Sequence, residues 1–395
     1  VPTVGERFRE AGYATQLIGK AHFQPLRSAP DQPSIECQPT LRDLDFWREF
    51  QGPWYGFEHI ELTRNHVDES HAGQHYAIWM EEKGLANWRD YFGDCSDGRD
   101  RPAGYRGAWD LPEQYHYTAW TGERACANIE QAVGEGRPFF TWASFHDPHP
   151  PYAVPEPWAS MYDPDDMEPG ELVEGELDDM PPHFRMTQDR DADWSVYRET
   201  PFGNHGFNCH LHDREQLRKD MAIYYGMISF MDQEIGRILD KLDELGVADN
   251  TIVVFSTDHG HFLGQHGLIA KGGFQYEDGI KLPFIVRWPN RVAAGATCDA
   301  IQGLIDLPST FLAACGLAPP IWMQGVNQLP VWTGEQEKAK DFEICEFRHQ
   351  PTAVHLRTLI TERYKLTVYR DQDYGELIDL QEDPRELKNL WDDPA

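Results

Sequence analysis

A loop rich in histidine and glycine directly follows an apolar run in the second half of the chain, within the segment FSTDHGHFLGQHGLIAK. Its candidate metal- and anion-binding side chains are Asp258, His259, His261, His266 and Lys271. A carboxylate beside an imidazole suits a divalent cation, because hard oxygen donors favour calcium or magnesium while the histidine also admits manganese or zinc. Consecutive residues of a strand face opposite sides, so Asp258 and His259 can bind one ion only where the backbone turns, as Gly260 allows. The loop therefore predicts part of a metal and anion site, and a polar surface turn is the alternative.

Two lysines and two histidines could act on the same bound group. Lys20 and Lys271 could neutralise the charge that develops on a transferring sulfuryl or phosphoryl group. His22 and His149 could move protons to a leaving oxygen. Each residue alone could instead be a solvated lysine or a hydrogen-bonded structural histidine. All four, together with His146, follow predicted strands or lie one loop later, which favours a shared site.

Hydrophobic patterning predicts the elements that must position these residues. Helices are expected over 3–12, where Thr3 and Glu6 have the spacing of a capping box, and over 113–134, 217–245 and 306–315. Apolar strands are expected over YATQLIG, PFFTWASF, NTIVVFSTD and IKLPFIVRW, and the third is typical of a strand buried on both faces. Helices that alternate with apolar strands indicate an α/β fold with a largely parallel sheet. Ligands of such folds bind beyond the carboxyl ends of the strands.

Two segments depart from this pattern. Residues 163–180 contain nine acidic residues and no basic one, which predicts a solvated loop rather than a cation site. From about residue 331, short strands such as RYKLTVYR and GELIDL predict a small β-rich unit. We therefore expect one domain over 1–330 and a C-terminal α+β subdomain over 331–395.

The charge of the chain narrows the choice of partners. With 35 basic and 66 acidic residues, the net charge is −31. Such a surface repels nucleic acid and anionic lipid at long range, so we expect neither as a partner. The seven cysteines form no zinc-binding pattern, and no segment has the length and apolarity of a membrane span. These features predict a soluble protein without indicating its compartment.

Four segments, in order along the chain, resemble segments of the sulfatase family. They are AGYATQLIGKAHF, PFFTWASFHDPHPPY, VVFSTDHGHFLGQHGLIAKGGFQYEDGIKLPFIVRWP and RYKLTVYRDQDYGELIDLQEDPRELKNL. The resemblance implies the alkaline-phosphatase-like α/β sandwich, with a mostly parallel central sheet and a small C-terminal β-rich subdomain. It also implies a metal-dependent sulfuric ester hydrolase whose substrate is a small-molecule or glycan sulfate ester.

The resemblance further implies a role for each matching residue. Asp258 and His259 would be metal ligands, and calcium is the usual ion, with magnesium, manganese or zinc as alternatives. Lys271 would bridge the anionic oxygens of the substrate. Lys20 would orient the nucleophile, His22 would stabilise its hydrated form, and His149 would contact the sulfate and assist the leaving group.

Two other functions remain open on the sequence. A phosphonate monoester or phosphodiester hydrolase of the same superfamily would use nearly identical site chemistry. A non-catalytic member of the family could instead bind a sulfated glycan. The presence of both lysines and both site histidines argues against the binding protein, because a binding site has no need for all four.

The chain departs from the family pattern at the nucleophile. That residue is a formylglycine made from cysteine in a Cys-x-Pro-Ser-Arg motif, or from serine, and it precedes the Gly-Lys-x-His segment together with two metal-binding aspartates. Here Cys37 is followed by Gln-Pro-Thr and Cys95 by Ser-Asp-Gly. The expectation from this pattern is an N-terminally truncated sulfatase that lacks its nucleophile segment.

We therefore predict that the 395-residue chain, purified alone, does not hydrolyse sulfate esters, because the nucleophile and two metal ligands are missing from the expected pattern. The same reasoning predicts weak metal binding. Turnover of an aryl sulfate by the purified chain, or a large rise in melting temperature with micromolar calcium, would contradict this expectation.

Overall fold

The computed structural model describes residues 2–25, 28–64, 72–92, 106–198, 206–350 and 354–393. The chain divides into two compact units. The first comprises Val1–Met167 and Arg218–Asp249, and the second comprises Glu168–Leu217 and Asn250–Ala395. The division does not test the expected domain boundary near residue 330, which stays a prediction.

The first unit is built around a parallel sheet. Its elements are α1 (Val4–Glu10), β1 (Ala14–Gly19), α2 (Leu44–Glu49), β2 (His59–Leu62), α3 (Gln74–Glu82), β3 (Gly107–Ala108), α4 (Tyr117–Gly134), β4 (Phe139–Ser144) and β5 (Ala153–Val154). The strand order is β2-β1-β4, and both pairings are parallel. A separate short parallel pair joins β3 to β5.

The amino-terminal helix begins as its sequence predicts. The backbone N–H of Glu6 donates to Thr3 Oγ1 at 3.3 Å, and the Thr3 N–H donates to Glu6 Oε2 at 2.6 Å. This reciprocal capping box satisfies two donors that a helix end otherwise leaves unpaired. The predicted capping box is therefore confirmed.

The core of the first unit lies against β1 and β2. Leu17, Ile60 and Leu62 pack with Trp47 of α2 and Ile78 of α3, and all five are buried. Burial of this apolar surface stabilises the unit. The strands predicted at YATQLIG and PFFTWASF are confirmed as the central strand and its neighbour.

The second unit contains short strands and an antiparallel sheet. Its elements are α5 (Pro182–Met186), β6 (Val253–Ser256), β7 (Phe262–Leu263), β8 (Ile269–Ala270), α7 (Glu277–Ile280), β9 (Phe284–Arg287), α8 (Asp306–Ala314), α9 (Leu329–Trp332), β10 (Glu343–Gln350), β11 (Val354–Ile360), β12 (Tyr364–Tyr369) and β13 (Gly375–Asp379). The last four strands form an antiparallel meander in chain order. The β-rich character predicted for the C-terminal region is confirmed.

A long helix, α6, belongs to the first unit from Arg218 onward. It spans Arg214–Glu244, three residues longer at its start than the apolar seam predicted, and Gly246 follows it with φ +67°. Glycine reaches this left-handed conformation without a steric penalty, so the predicted C-terminal stop is confirmed. No helix in the described part of the chain is both long and apolar enough to cross a bilayer.

Two expectations for the second unit are wrong in part. β6 pairs antiparallel with β9, and its residues are half-buried rather than buried on both faces, because a two-stranded ribbon covers little side-chain surface. The acidic segment is not wholly solvated. Near its end, Glu176, Leu177 and Met180 are buried, and the latter two pack in a core with Phe184.

A buried carboxylate connects the end of β4 to the start of α4 in the first unit. Asp147 accepts hydrogen bonds from Tyr117 Oη at 2.9 Å and from Thr118 Oγ1 at 2.5 Å. Burial raises the pKa of Asp147 from 3.8 to about 7, although both hydrogen bonds oppose the increase. The folded chain therefore holds a proton that the unfolded chain releases, and this residue lowers the free energy of unfolding as pH rises from about 4 to about 7.

We predict that Asp147→Asn removes this contribution. The melting temperature of the variant, relative to the unsubstituted chain, should increase as pH rises from about 4 to about 7 and then stay level. Differential scanning fluorimetry across pH 4 to 8 measures the difference. Asp45→Asn is the control, since the Asp45 side chain is 94% exposed. The prediction would be contradicted if the melting temperatures of Asp147→Asn and the unsubstituted chain differed by the same amount at every pH.

Candidate functional site

The first unit places Lys20 and His149 on loops that leave the same edge of the sheet. β1 and β4 are parallel and in register, with Gly19 opposite Ser144, and the Lys20 N–H donates to the Ser144 carbonyl at 3.0 Å. A Cβ atom on Gly19 would lie 1.9 Å from that carbonyl oxygen, and Gly19 has φ +107°. Only glycine fits here, so the close approach of the two strands depends on this residue.

His22 occupies an unusual backbone conformation in the loop after β1. Its φ is +60°, in the left-handed region that few residues other than glycine adopt. The side chain is exposed, and Lys20 is half-buried. The sequence identified both residues but gave no indication of what holds this turn. It missed two buried residues: Glu36, which accepts a hydrogen bond from the His22 N–H, and Arg64, which donates to the Glu36 carbonyl.

His149 lies in a compact turn that follows β4. Its N–H donates to the His146 carbonyl at 3.0 Å, and its ring Nδ1 is 2.5 Å from the Pro150 carbonyl. The Pro150 oxygen can only accept a hydrogen bond, so Nδ1 of His149 carries a proton, and Nε2 is the ring nitrogen that could take part in proton transfer. His146 is buried against Tyr117 and lies inside the fold. Asp147, the neighbour of His146, accepts hydrogen bonds from Tyr117 and Thr118. The sequence analysis did not predict this role, because one aspartate in a Pro-rich segment has no distinguishing pattern.

The second unit brings Asp258, His259 and Lys271 together. Lys271 Nζ lies 2.8 Å from His259 Nε2, and Asp258 Oδ2 lies 3.4 Å from the same nitrogen. His259 Nδ1 faces the Gly260 carbonyl at 2.7 Å, which fixes its proton on Nδ1 and leaves the Nε2 lone pair toward Lys271. Burial lowers the pKa of Lys271, and the negative charge of Asp258 opposes the decrease. A cation, an imidazole lone pair and a carboxylate thus converge on one small region.

Gly260 permits this convergence through a close backbone contact. A Cβ atom on Gly260 would lie 1.9 Å from the Asp278 carbonyl oxygen, and the Gly260 N–H donates to Gly279 at 2.8 Å. Since β6 ends at Ser256, Asp258 and His259 lie beyond its carboxyl end, where the sequence predicted them. The backbone bends at Asp258 and His259, directly before the Gly260 position at which the turn was expected.

The donor atoms of this cluster suit a divalent cation. The proton on His259 Nδ1 is held by a carbonyl, which is the usual arrangement for a histidine that binds metal through Nε2. The Asp258 side chain is 71% exposed and supplies a hard oxygen. Within the described ranges, no cluster of three or more histidine, cysteine, aspartate or glutamate side chains could hold a metal. Asp258 and His259 supply two suitable donors, so a bound metal would need further ligands.

His266 supports the loop from inside. Its ring stacks on Tyr276 at 3.6 Å with an interplanar angle of 1°. Its Nδ1 lies 3.3 Å from Glu176 Oε1, and its Nε2 lies 3.8 Å from Asp278 Oδ2. The residue is buried, which favours a structural role over metal binding. Glu176 was missed because the acidic composition around it indicated solvent exposure.

The six predicted site residues fall in two groups by unit. Lys20, His22 and His149 belong to the first unit, and Asp258, His259 and Lys271 belong to the second. The structure brings the second group into direct contact. It places the first group on two loops at one edge of the sheet.

The chain matches known families along its whole length. The sulfatase family model matches residues 1–317, and the model for the C-terminal region of N-sulphoglucosamine sulphohydrolase matches residues 264–395. The chain is 26% identical to the uncharacterized sulfatase YidJ of Escherichia coli, over 100% of this chain and 68% of that protein. It is also 26% identical to an arylsulfatase of Clostridium perfringens, over 98% of this chain and 73% of that protein.

A solved structure shares the fold. The phosphonate monoester hydrolase of Agrobacterium radiobacter aligns with a TM-score of 0.72 and 24% identity, covering 99% of this chain and 76% of that one. This likeness confirms the alkaline-phosphatase-like α/β fold. Because the sulfatase model matches well over half of the residues, the chain belongs to the sulfatase family, a family of sulfuric ester hydrolases.

Proposed function

We propose that sulfate ester hydrolysis by this protein depends on the cluster of Asp258, His259 and Lys271. The 2.8 Å contact between Lys271 Nζ and His259 Nε2 is the observation that carries the proposal. It places the ammonium group of Lys271 beside His259 Nε2, the atom through which this histidine would bind a metal. The ammonium group of Lys271 would bind the sulfate oxygens and neutralise the charge that increases on them during S–O cleavage.

Sulfatases generally use a divalent metal and a formylglycine. Asp258 and His259 would hold the metal, for which we propose calcium because one donor is a carboxylate and further oxygen donors can complete the shell. When bound, such an ion supplies positive charge beside the sulfate oxygens. The carbonyl of Gly260 keeps the His259 ring in the orientation that this role needs.

Lys20 and His22 would interact with the nucleophile, and His149 would protonate the leaving group. We propose that Lys20 supplies positive charge at the nucleophile and that His22 hydrogen-bonds to it. Because Nδ1 of His149 donates to the Pro150 carbonyl, its Nε2 would donate a proton to the leaving alcohol oxygen when the ring is in the doubly protonated imidazolium form. This proton transfer avoids release of an alkoxide.

Lys271→Ala should lower kcat/KM for 4-nitrophenyl sulfate by about 100- to 1,000-fold, the usual effect of removing one group that stabilises charge in a transition state. The assay uses the natural gene product that contains these residues. Lys281→Ala is the matched control, because the Lys281 side chain is 73% exposed and pairs with Glu277 at 2.9 Å. Equal activity of the two variants would contradict the role of Lys271.

The substrate class has a separate test. Phosphonate monoester or phosphodiester hydrolysis is the second candidate, since the shared fold with a phosphonate monoester hydrolase is compatible with either reaction. We expect kcat/KM of the natural gene product to be higher for 4-nitrophenyl sulfate than for bis(4-nitrophenyl) phosphate or 4-nitrophenyl phenylphosphonate. A preference for either phosphorus ester would overturn the proposed preference for sulfate esters, while membership of the alkaline-phosphatase-like superfamily would still hold.

A further inference from the structure

The turn that carries Lys20 and His22 needs an external partner. His22 has a left-handed backbone, with φ +60°, which is sterically unfavourable for a residue with a side chain. Such a conformation persists only where surrounding contacts determine it. The contacts that do so come from a distant part of the loop after β1.

Glu36 supplies them with both of its carboxylate oxygens. Oε1 accepts the His22 N–H at 2.5 Å, and Oε2 accepts the Gln24 N–H at 2.5 Å. In return, the Gln24 side-chain oxygen accepts the Ile35 N–H at 2.7 Å. Three hydrogen bonds therefore lock the turn at 22–24 to the segment at 35–36. An apolar residue at position 36 would leave two backbone donors unpaired.

The surroundings of Glu36 favour a fixed carboxylate. Its residue exposure is 1%, and burial raises its pKa, while the backbone donors and the charge of Arg64 oppose the increase. Arg64 is also buried, and it donates from Nη1 to the Glu36 carbonyl at 3.0 Å. Arg64 follows β2, whose extension is tied to β1 because the Thr63 N–H donates to Gly19 at 3.0 Å. Glu36 is therefore held at the same sheet edge as Lys20 and His22.

We propose that Glu36 is a positioning residue, which fixes the backbone turn so that Lys20 and His22 face the sulfate ester and its nucleophile. This inference rests on the proposed function for the purpose of the turn. The three hydrogen bonds that join residues 22–24 to residues 35–36, here called the clamp, do not depend on that function, because they join groups of this chain only. Arg64 assists by balancing the buried charge of Glu36.

The test compares Glu36→Gln, Glu36→Asp and the control Glu58→Gln. Glutamine keeps the size of the side chain, but its NH₂ group cannot accept one of the two backbone donors. Aspartate keeps the charge on a shorter arm, so it should restore part of the function. Glu58→Gln makes the same charge change near the opposite, amino end of β2, where Glu58 pairs with Arg137 at 2.7 Å.

The first measurement is amide hydrogen exchange at His22 and Gln24, followed by NMR or mass spectrometry. In Glu36→Gln, exchange at one or both amides should accelerate about 10- to 100-fold, since a backbone donor loses its acceptor. Glu36→Asp should lie between this variant and the unsubstituted protein, and Glu58→Gln should leave both amides unchanged. Unchanged exchange in Glu36→Gln would overturn the proposal, whatever the protein hydrolyses.

The second measurement is hydrolysis of 4-nitrophenyl sulfate by the natural gene product. Glu36→Gln should lower kcat about 10- to 100-fold with little change in KM, because misplacement of reacting groups acts on the chemical step. Glu36→Asp should recover part of kcat. Faster amide exchange with normal kcat would make Glu36 purely structural and overturn its positioning role. If even the unsubstituted gene product fails to hydrolyse sulfate esters, the proposed function and the purpose of the turn fail, while the exchange data still report on the clamp.

Discussion

The parallel pairing of β1 with β4 is the constraint on which the first unit depends. It brings together two segments that lie about 125 residues apart, as the hydrogen bond between Thr141 and Gln16 at 2.7 Å illustrates. At the end of the pairing, Gly19 lies so close to Ser144 that a larger residue would separate the strands. Because the strands run in the same direction, the loops that follow them leave one edge. The position of Lys20, His22 and His149 at one edge of the sheet is therefore a consequence of strand direction.

A second principle recurs in both units, since a buried carboxylate lies behind each candidate site loop. Glu36 holds the turn of His22, and Asp147 anchors the segment that leads to His149. In the second unit, Glu176 faces His266 behind the loop of Lys271. The candidate site side chains are exposed or only half-buried, so their own burial fixes them only in part. Buried acceptors that bind backbone and side-chain donors fix them indirectly.

Much of the framework could be predicted from the sequence. The capping box at Thr3, the apolar strands and the seam of the long helix are local patterns, and each produced the expected element. The strand-end position of Asp258 and His259 also followed from local sequence, because an apolar run ended there. Residue chemistry indicated general roles for the lysines and histidines, the specific role of each came from resemblance to the sulfatase family, and all of these roles stay proposals.

What the sequence could not show are contacts between distant residues. Glu36 is one acidic residue in an irregular segment, and only the folded chain reveals the backbone donors of His22 and Gln24 around it. The acidic composition of residues 163–180 predicted that Glu176 is exposed, but Glu176 is buried. Composition describes a segment as a whole and cannot identify one buried residue in it. The half-buried state of β6 depends on its antiparallel partner β9, and strand direction leaves no mark on an apolar run.

The two sheets also differ in how they can form during synthesis. In the meander of β10 to β13, each strand pairs with its neighbour in the chain, so the sheet can grow in the order in which the ribosome releases it. β1 pairs on one side with β2, but its other side must wait for β4, which emerges more than a hundred residues after β1. One edge of β1 therefore stays unpaired for longer than the edges that join the meander strands. During that interval, chaperones have more opportunity to bind β1 than the meander.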